Sequence, residues 1–215
     1  MVVRLKGTAW SKQVVRKNRT GNARHIVRII GGQWKRTPIA VIDAEGLRPT
    51  PERVRGTLFN WLNHLWDGSF GALTCLDMFA GTGALGFEAA SRGFWHVTMI
   101  EKNRTAFRQL QTIKSRLEAD QVEILPGDAL VLVDALMSSG RQFDLIFLDP
   151  PFQAQLLLKI LPACWKLLAT GGMVYVETDK PVTGQWLTDC GMMGMEIIRE
   201  GQAGQVYYHL LKKQV

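Results

Sequence analysis

The chain has 215 residues, 47% of them hydrophobic, and carries 26 Lys+Arg against 19 Asp+Glu, a formal net charge of +7. That suffices for one full core plus a small appendage, while no apolar stretch approaches the ~20 residues of a membrane span. Cys75, Cys164 and Cys190 lie far apart and outside any CxxC pattern, so neither a disulfide framework nor a zinc site is expected, and no metal is assigned.

The charge is concentrated at the start of the chain. Residues 1–60 hold 13 basic and 3 acidic side chains, net +10, and ten basic residues precede the first acid, Asp43. Such a run suits phosphate contacts and counterion release on a polyanion; a solvated basic tail is the plainer alternative. Residues 1–24 read as a disordered tail without the apolar core of a signal peptide, and a soluble, cytoplasmic protein without membrane contact is expected.

Residues 25–66 read as a small appendage. His25-Ile26-Val27-Arg28-Ile29-Ile30, then Gly31-Gly32, then a second run to Ile42 interrupted by Pro38, predict a β-hairpin with a glycine turn. Arg28, Lys35 and Arg36 would give it a basic face. Pro49-Thr50-Pro51 predicts a helix start with Thr50 at the cap, followed by Val54, Leu58, Trp61, Leu62 and Leu65 at helical spacing. Arg53 and Arg55 fall in its first turn and a half, so with Arg48 they are candidates for gripping phosphate, or ordinary helix-surface charges.

Residues 67–215 read as an α/β core, because apolar runs and amphipathic stretches alternate from Leu73 onward, as in a mostly parallel sheet covered on both faces. Strands are predicted near 73–79, 97–101, 121–125, 143–149 and 173–178, and helices over 84–92, 103–118, 129–138 and 155–168. A short helix near 183–190 and strands over roughly 194–200 and 204–211 follow. The glycine-containing stretch 201–204 would turn this C-terminal antiparallel hairpin.

Chemistry concentrates at the ends of the predicted strands. Gly81-Thr82-Gly83-Ala84-Leu85-Gly86 matches G-x-G-x-x-G, which by itself fits a dinucleotide site as well as other Rossmann-like sites. Asp77, four residues earlier, suits the cationic amino-acid end of a ligand better than a pyrophosphate, which favours a bare helix N-terminus. Glu101 can take a ribose hydroxyl pair, and Asp128 can accept an adenine amine. For all three acids a structural role at a turn or strand end stays open.

The decisive stretch is Asp149-Pro150-Pro151-Phe152, at the end of the apolar run 143–148. A base's exocyclic amine is a weak nucleophile because its lone pair is delocalised into the ring. The Asp149 carboxylate and Pro150 carbonyl can accept its two N–H bonds, and Phe152 offers a face for a flipped base. A nicotinamide enzyme would leave these four residues unexplained.

These motifs resemble class I S-adenosylmethionine-dependent methyltransferases with an amino-methylating Asp-Pro-Pro-aromatic clamp. More narrowly, the chain resembles the RsmD family, bacterial enzymes that methylate the exocyclic N2 amine of a guanine in small-subunit (16S) ribosomal RNA. Arg28 to Gly32, Leu47 to Thr50 with Arg53 to Arg55 and Leu58 to Asn60, Asp77 to Gly86, and Asp149 to Phe152 carry the likeness, which spans residues 25–211. Gly56 and the long basic leader depart from the family pattern.

The resemblance implies a Rossmann-like methyltransferase fold with S-adenosyl-L-methionine as cofactor. Asp77, Phe79, Ala80, Gly81, Thr82, Gly83, Glu101, Lys102, Asp128 and Ala129 would bind it, and Asp149, Pro150 and Phe152 would hold the target amine. RNA contacts would come from Arg28, Lys35, Arg36, Arg48, Thr50, Arg53 and Arg55. The implied partner is 16S ribosomal RNA within a 30S particle, met by a monomer. A DNA adenine-N6 methyltransferase uses the same tetrapeptide, and a non-catalytic RNA-binding protein can keep the fold. Against these stand the small size of the non-core region and the intact motif residues.

Overall fold

The computed structural model of the protein describes residues 26–41, 50–150 and 154–214. Two short antiparallel strands, β1 (Ile26–Arg28) and β2 (Pro38–Ala40), are followed by helix α1 (Glu52–Leu65). The core then alternates β3 (Thr74–Asp77), α2 (Ala84–Ser91), β4 (His96–Glu101), α3 (Arg104–Leu117), β5 (Val122–Pro126), α4 (Ala129–Ser138), β6 (Phe143–Leu148), α5 (Ala154–Leu167) and β7 (Leu168–Thr178). Helix α6 (Gly184–Asp189) leads into the antiparallel pair β8 (Met195–Ala203) and β9 (Val206–Lys213).

The seven core strands form one sheet in the order β5-β4-β3-β6-β7-β9-β8, parallel as far as β7. From β3 the chain winds out to β4 and β5, then returns to place β6 on the other flank of β3. The carboxyl ends of β3 and β6 therefore border the crevice where a doubly wound sheet binds its ligands.

Both faces of the sheet are buried, which is why its strands are near-continuous apolar runs. One apolar cluster joins Val54, Leu58, Phe59 and Leu62 of α1 and Phe87 of α2 to Leu145 and Phe147 of β6. The other joins Val133 of α4, Ile160 and Leu161 of α5 and Leu187 of α6 to Leu76, Ile146 and Val174. Helix α1 thus packs on the same face as the glycine-loop helix α2.

Three local expectations differ from the structure. The expected hairpin forms with Gly31 and Gly32 in its connection, but the connection is long, residues 29–37, and the glycines also press against α2. A Cβ on Gly32 would lie 1.8 Å from the Ser91 carbonyl oxygen, and Gln33 donates its N–H to that oxygen at 2.8 Å. Close backbone approach explains the pair together with the chain reversal, in which the Gly32 carbonyl accepts the Lys35 N–H at 3.3 Å.

Gly201 likewise lies within β8 opposite Tyr208, whose ring occupies the space a Cβ would take, with Cζ 2.4 Å away. The turn falls at residues 204–205 instead. Finally, Pro51 rather than Thr50 stands at the N-cap of α1, without a side-chain capping bond. The Thr50 hydroxyl is engaged elsewhere.

Candidate active site

The loop after β3 is shaped by what its glycines permit. Gly81 and Gly83 have φ of 52° and 79°, in the left-handed region that favours glycine. A Cβ on Gly83 would also meet Leu110 Cδ2 and Phe87 Cδ2 at 2.6 Å. Gly86 gives α2 its close approach to β4, since a Cβ there would lie 2.4 Å from Met99 Cε. The loop is thereby held against the sheet, with Ala80 donating its N–H to the Ile100 carbonyl at 3.0 Å. Ala80 and Thr82 are buried and Phe79 is half-buried.

Asp77 is 1% exposed and accepts the Gly86 N–H at 3.1 Å. Burial pushes its carboxyl up to about 7, opposed by the N–H groups of Gly86 and Phe79, with the Glu101 charge raising it further. A buried acid in that state gains from a cation brought beside it, which matches the ammonium end of an amino-acid ligand.

Glu101, at the end of β4, is 8% exposed and ties the neighbouring turns together. Its Oε2 accepts the Gly81 N–H at 2.7 Å and its Oε1 the Asn103 N–H at 2.6 Å. Burial raises its carboxyl, against the pull of these N–H groups. Each oxygen retains a further lone-pair direction for a hydroxyl.

Asp128 caps α4 by accepting the Leu130 N–H at 3.0 Å and the Lys102 ammonium at 2.7 Å. Those bonds, the Lys102 one foremost, lower its carboxyl. Ala129 is buried directly behind it.

Asp149 follows β6, where continuing the Leu148–Val176 register sets it beside Glu177 at the end of β7. Its Oδ2 accepts the Thr50 hydroxyl at 2.9 Å, a contact spanning 99 residues. Burial, and then the Glu177 charge, push its carboxyl well above the usual range, while the Thr50 bond holds it back. Pro150 is buried beside it. Phe152 and Arg48 lie outside the described residues.

The arginines divide. Arg28, Lys35, Arg36 and Arg53 are exposed. Arg55, expected at the surface to meet phosphate, is instead 1% exposed. It donates to the Thr50 carbonyl at 3.2 Å and the Arg28 carbonyl at 3.0 Å, and lies 3.6 Å from the buried Glu88 carboxylate. Helical periodicity alone could not tell that the basic residue next to Val54 turns inward.

Glu88 was not anticipated, nor was Glu177. Glu88 is fully buried in α2, accepts the N–H groups of Ile30 and Gly31 at 2.7 and 2.8 Å and pairs with Arg92 at 2.8 Å. An acid within an otherwise apolar helix was the available signal, because a buried charge needs partners. For Glu177 the signal was its place at a strand's carboxyl end, shared with Asp77, Glu101 and Asp149.

The family described as "Conserved hypothetical protein 95" matches residues 27–212. The curated protein "Ribosomal RNA small subunit methyltransferase D" of Haemophilus influenzae is 40% identical over 174 residues, 77% of this chain and 86% of its own. Its Escherichia coli namesake is 36% identical over 197 residues, 87% and 90% of the two chains. A solved Escherichia coli structure, provisionally named a methyltransferase, superposes with a TM-score of 0.72 at 31% identity, covering 88% of this chain and 99% of that one.

Proposed function

The chain belongs to the RsmD family, described as Conserved hypothetical protein 95, and we propose that it methylates the exocyclic N2 amine of a guanine in 16S ribosomal RNA, within a 30S particle or an assembly intermediate. The coarser reaction, methylation of small-subunit ribosomal RNA, is the one its curated relatives' names carry. Among the described residues no helix is long and apolar enough to cross a membrane.

The single observation that carries the reading is the pairing of Thr50 with Asp149 at the carboxyl end of β6, beside the glycine loop. It joins the segment that leads into α1 to the acid of an amine-holding tetrapeptide. In this reading residues 25–66 serve the RNA and residues 67–215 the chemistry, with Arg28, Lys35, Arg36, Arg48 and Arg53 contributing positive charge at the substrate side.

S-Adenosylmethionine supplies a methyl group on a cationic sulfonium, which leaves as a neutral thioether. The residues present fit it: Asp77 would face its ammonium, the Gly81–Gly83 turn would leave room for its approach to the backbone, Glu101 would take the ribose hydroxyls, and Asp128 with Ala129 would border the adenine. Lys102 fixes Asp128. Asp149 and the Pro150 carbonyl would accept the two amine hydrogens and aim the nitrogen lone pair, and Phe152 is the residue assigned to stack on the base. As the amine gains the methyl group it sheds a proton, which Asp149 or water would take. Positioning provides much of the rate.

The test is transfer of labelled methyl to 30S particles, free 16S RNA and duplex DNA from cells lacking this activity, with nucleoside mass spectrometry. N2-Methylguanosine in a ribosomal sample is expected. Methyladenine in DNA would replace this reading with the adenine-N6 one, and no transfer to any of the three would speak for a non-catalytic binder.

A further inference from the structure

An Asp-Pro-Pro-aromatic clamp holds any exocyclic amine, so Asp149 and the Pro150 carbonyl do not by themselves separate guanine from adenine. The discriminating atom is the neighbouring ring nitrogen. Guanine N1 carries a hydrogen next to its amine, whereas adenine N1 presents a lone pair. A site selective for guanine needs an additional acceptor beside the amine-holding acid.

Glu177 stands in that place. The β6–β7 register brings it next to Asp149, and the two are close enough for its charge to raise the Asp149 carboxyl. It is 5% exposed and lines a cavity of about 190 Å³ together with Pro150, the second half of the amine clamp. The buried Tyr175 hydroxyl donates to its Oε1 at 2.8 Å, which fixes the carboxylate's orientation, and a carboxylate has about four acceptor positions in all. A ligand edge with three contiguous N–H donors matches acceptors on adjacent strand ends.

We propose that Glu177 is the residue that selects guanine, accepting its N1–H while Asp149 and the Pro150 carbonyl accept the N2 hydrogens. Adenine would set the N1 lone pair against the carboxylate. The same contact draws electron density toward the ring and leaves the amine lone pair more available to the methyl carbon. This inference rests on the guanine-N2 reading given above.

The experiment maps the methylated guanine, replaces it by 2,6-diaminopurine through splinted ligation of 16S RNA, and compares transfer to the two reconstituted particles. Diaminopurine keeps the 2-amino group but offers a lone pair at N1. The native enzyme is expected to favour guanine by at least ~100-fold, as sites that lose a designed hydrogen bond do. Glu177→Gln, whose amide can donate to N1, should narrow that ratio at least tenfold, with cofactor affinity unchanged. Tyr175→Phe, which removes the orienting hydroxyl and keeps the ring, should narrow it several-fold.

A ratio unchanged in both variants, or native discrimination below about threefold, overturns the role of Glu177. Should Glu177→Gln not fold, the Tyr175→Phe ratio decides. If the native product is not N2-methylguanosine, the parent reading fails instead, so the two failures are distinguishable.

Discussion

The Thr50 hydroxyl and the Asp149 carboxylate meet at 2.9 Å although 99 residues separate them in sequence. Through Arg55, whose guanidinium donates to the Thr50 carbonyl and faces Glu88, this contact is continuous with the helix that begins at the glycine loop. Whatever places α1 therefore also places Asp149.

Thr50→Val should lower turnover about tenfold, the worth of one hydrogen bond of ~1–1.5 kcal/mol, while leaving cofactor affinity intact. Because that bond holds the Asp149 carboxyl down, its loss raises the carboxyl further and moves the acid limb of the kcat–pH profile to higher pH. Thr50→Ser should restore both. Steady-state kinetics over pH 5–9 make the comparison.

Arg55 and Glu88 are 1% and 0% exposed, so removing the cation takes from a buried acid one of its two arginine partners and from the Thr50 and Arg28 carbonyls their donor. Arg55→Met should cost ~3–5 kcal/mol of stability in urea unfolding. Arg53 is exposed, and Arg53→Ala should leave the unfolding midpoint within error while weakening RNA binding and reducing its salt slope by about one. An Arg55 variant of native stability would contradict the assignment.

Asp77, raised to about 7 by burial, must ionise to hold a cationic amine. Cofactor affinity should therefore rise about tenfold per pH unit up to about 7, with proton release on binding below that value. It should fall again once the ligand's own amine, near 8, loses its proton. In the free protein the sign is opposite: the folded state binds the extra proton, so stability declines as pH rises between about 4 and 7. Isothermal titration calorimetry of native protein and Asp77→Asn, which should lack the acid limb, provides the check.

Gly56 lies in α1, and a Cβ there would meet nothing within 4 Å. Gly56→Ala should raise stability by ~0.5–1 kcal/mol through reduced freedom of the unfolded chain. Gly83→Ala should instead abolish cofactor binding, because its φ of 79° and the side chains of Leu110 and Phe87 leave no room. Thermal unfolding and calorimetry on the two variants separate the cases.

Where a residue's surroundings come from its own segment, the sequence discloses them. The sheet is legible because strands buried on both faces become unbroken apolar runs, as at 143–148, and because Gly81 and Gly83 punctuate the turn between strand and helix. What stays hidden depends on distant partners. Gly32 reads as a turn residue until Ser91 is seen against it, Gly201 until Tyr208 fills its space, and Thr50 as a helix cap until Asp149 arrives from a strand far along the chain. Arg55 carries the same lesson for charge: its inward direction is set by Glu88, on a helix that its own segment does not reveal.

The central claim, that Asp149 serves the amine and not the cofactor, is tested most directly by single-turnover methyl transfer in Asp149→Ala, with cofactor affinity measured on the same preparation. The account predicts affinity within a few-fold of native and a transfer rate lower by ~100-fold or more. A loss of cofactor affinity equal to the loss in rate, or transfer at near-native speed, would contradict it.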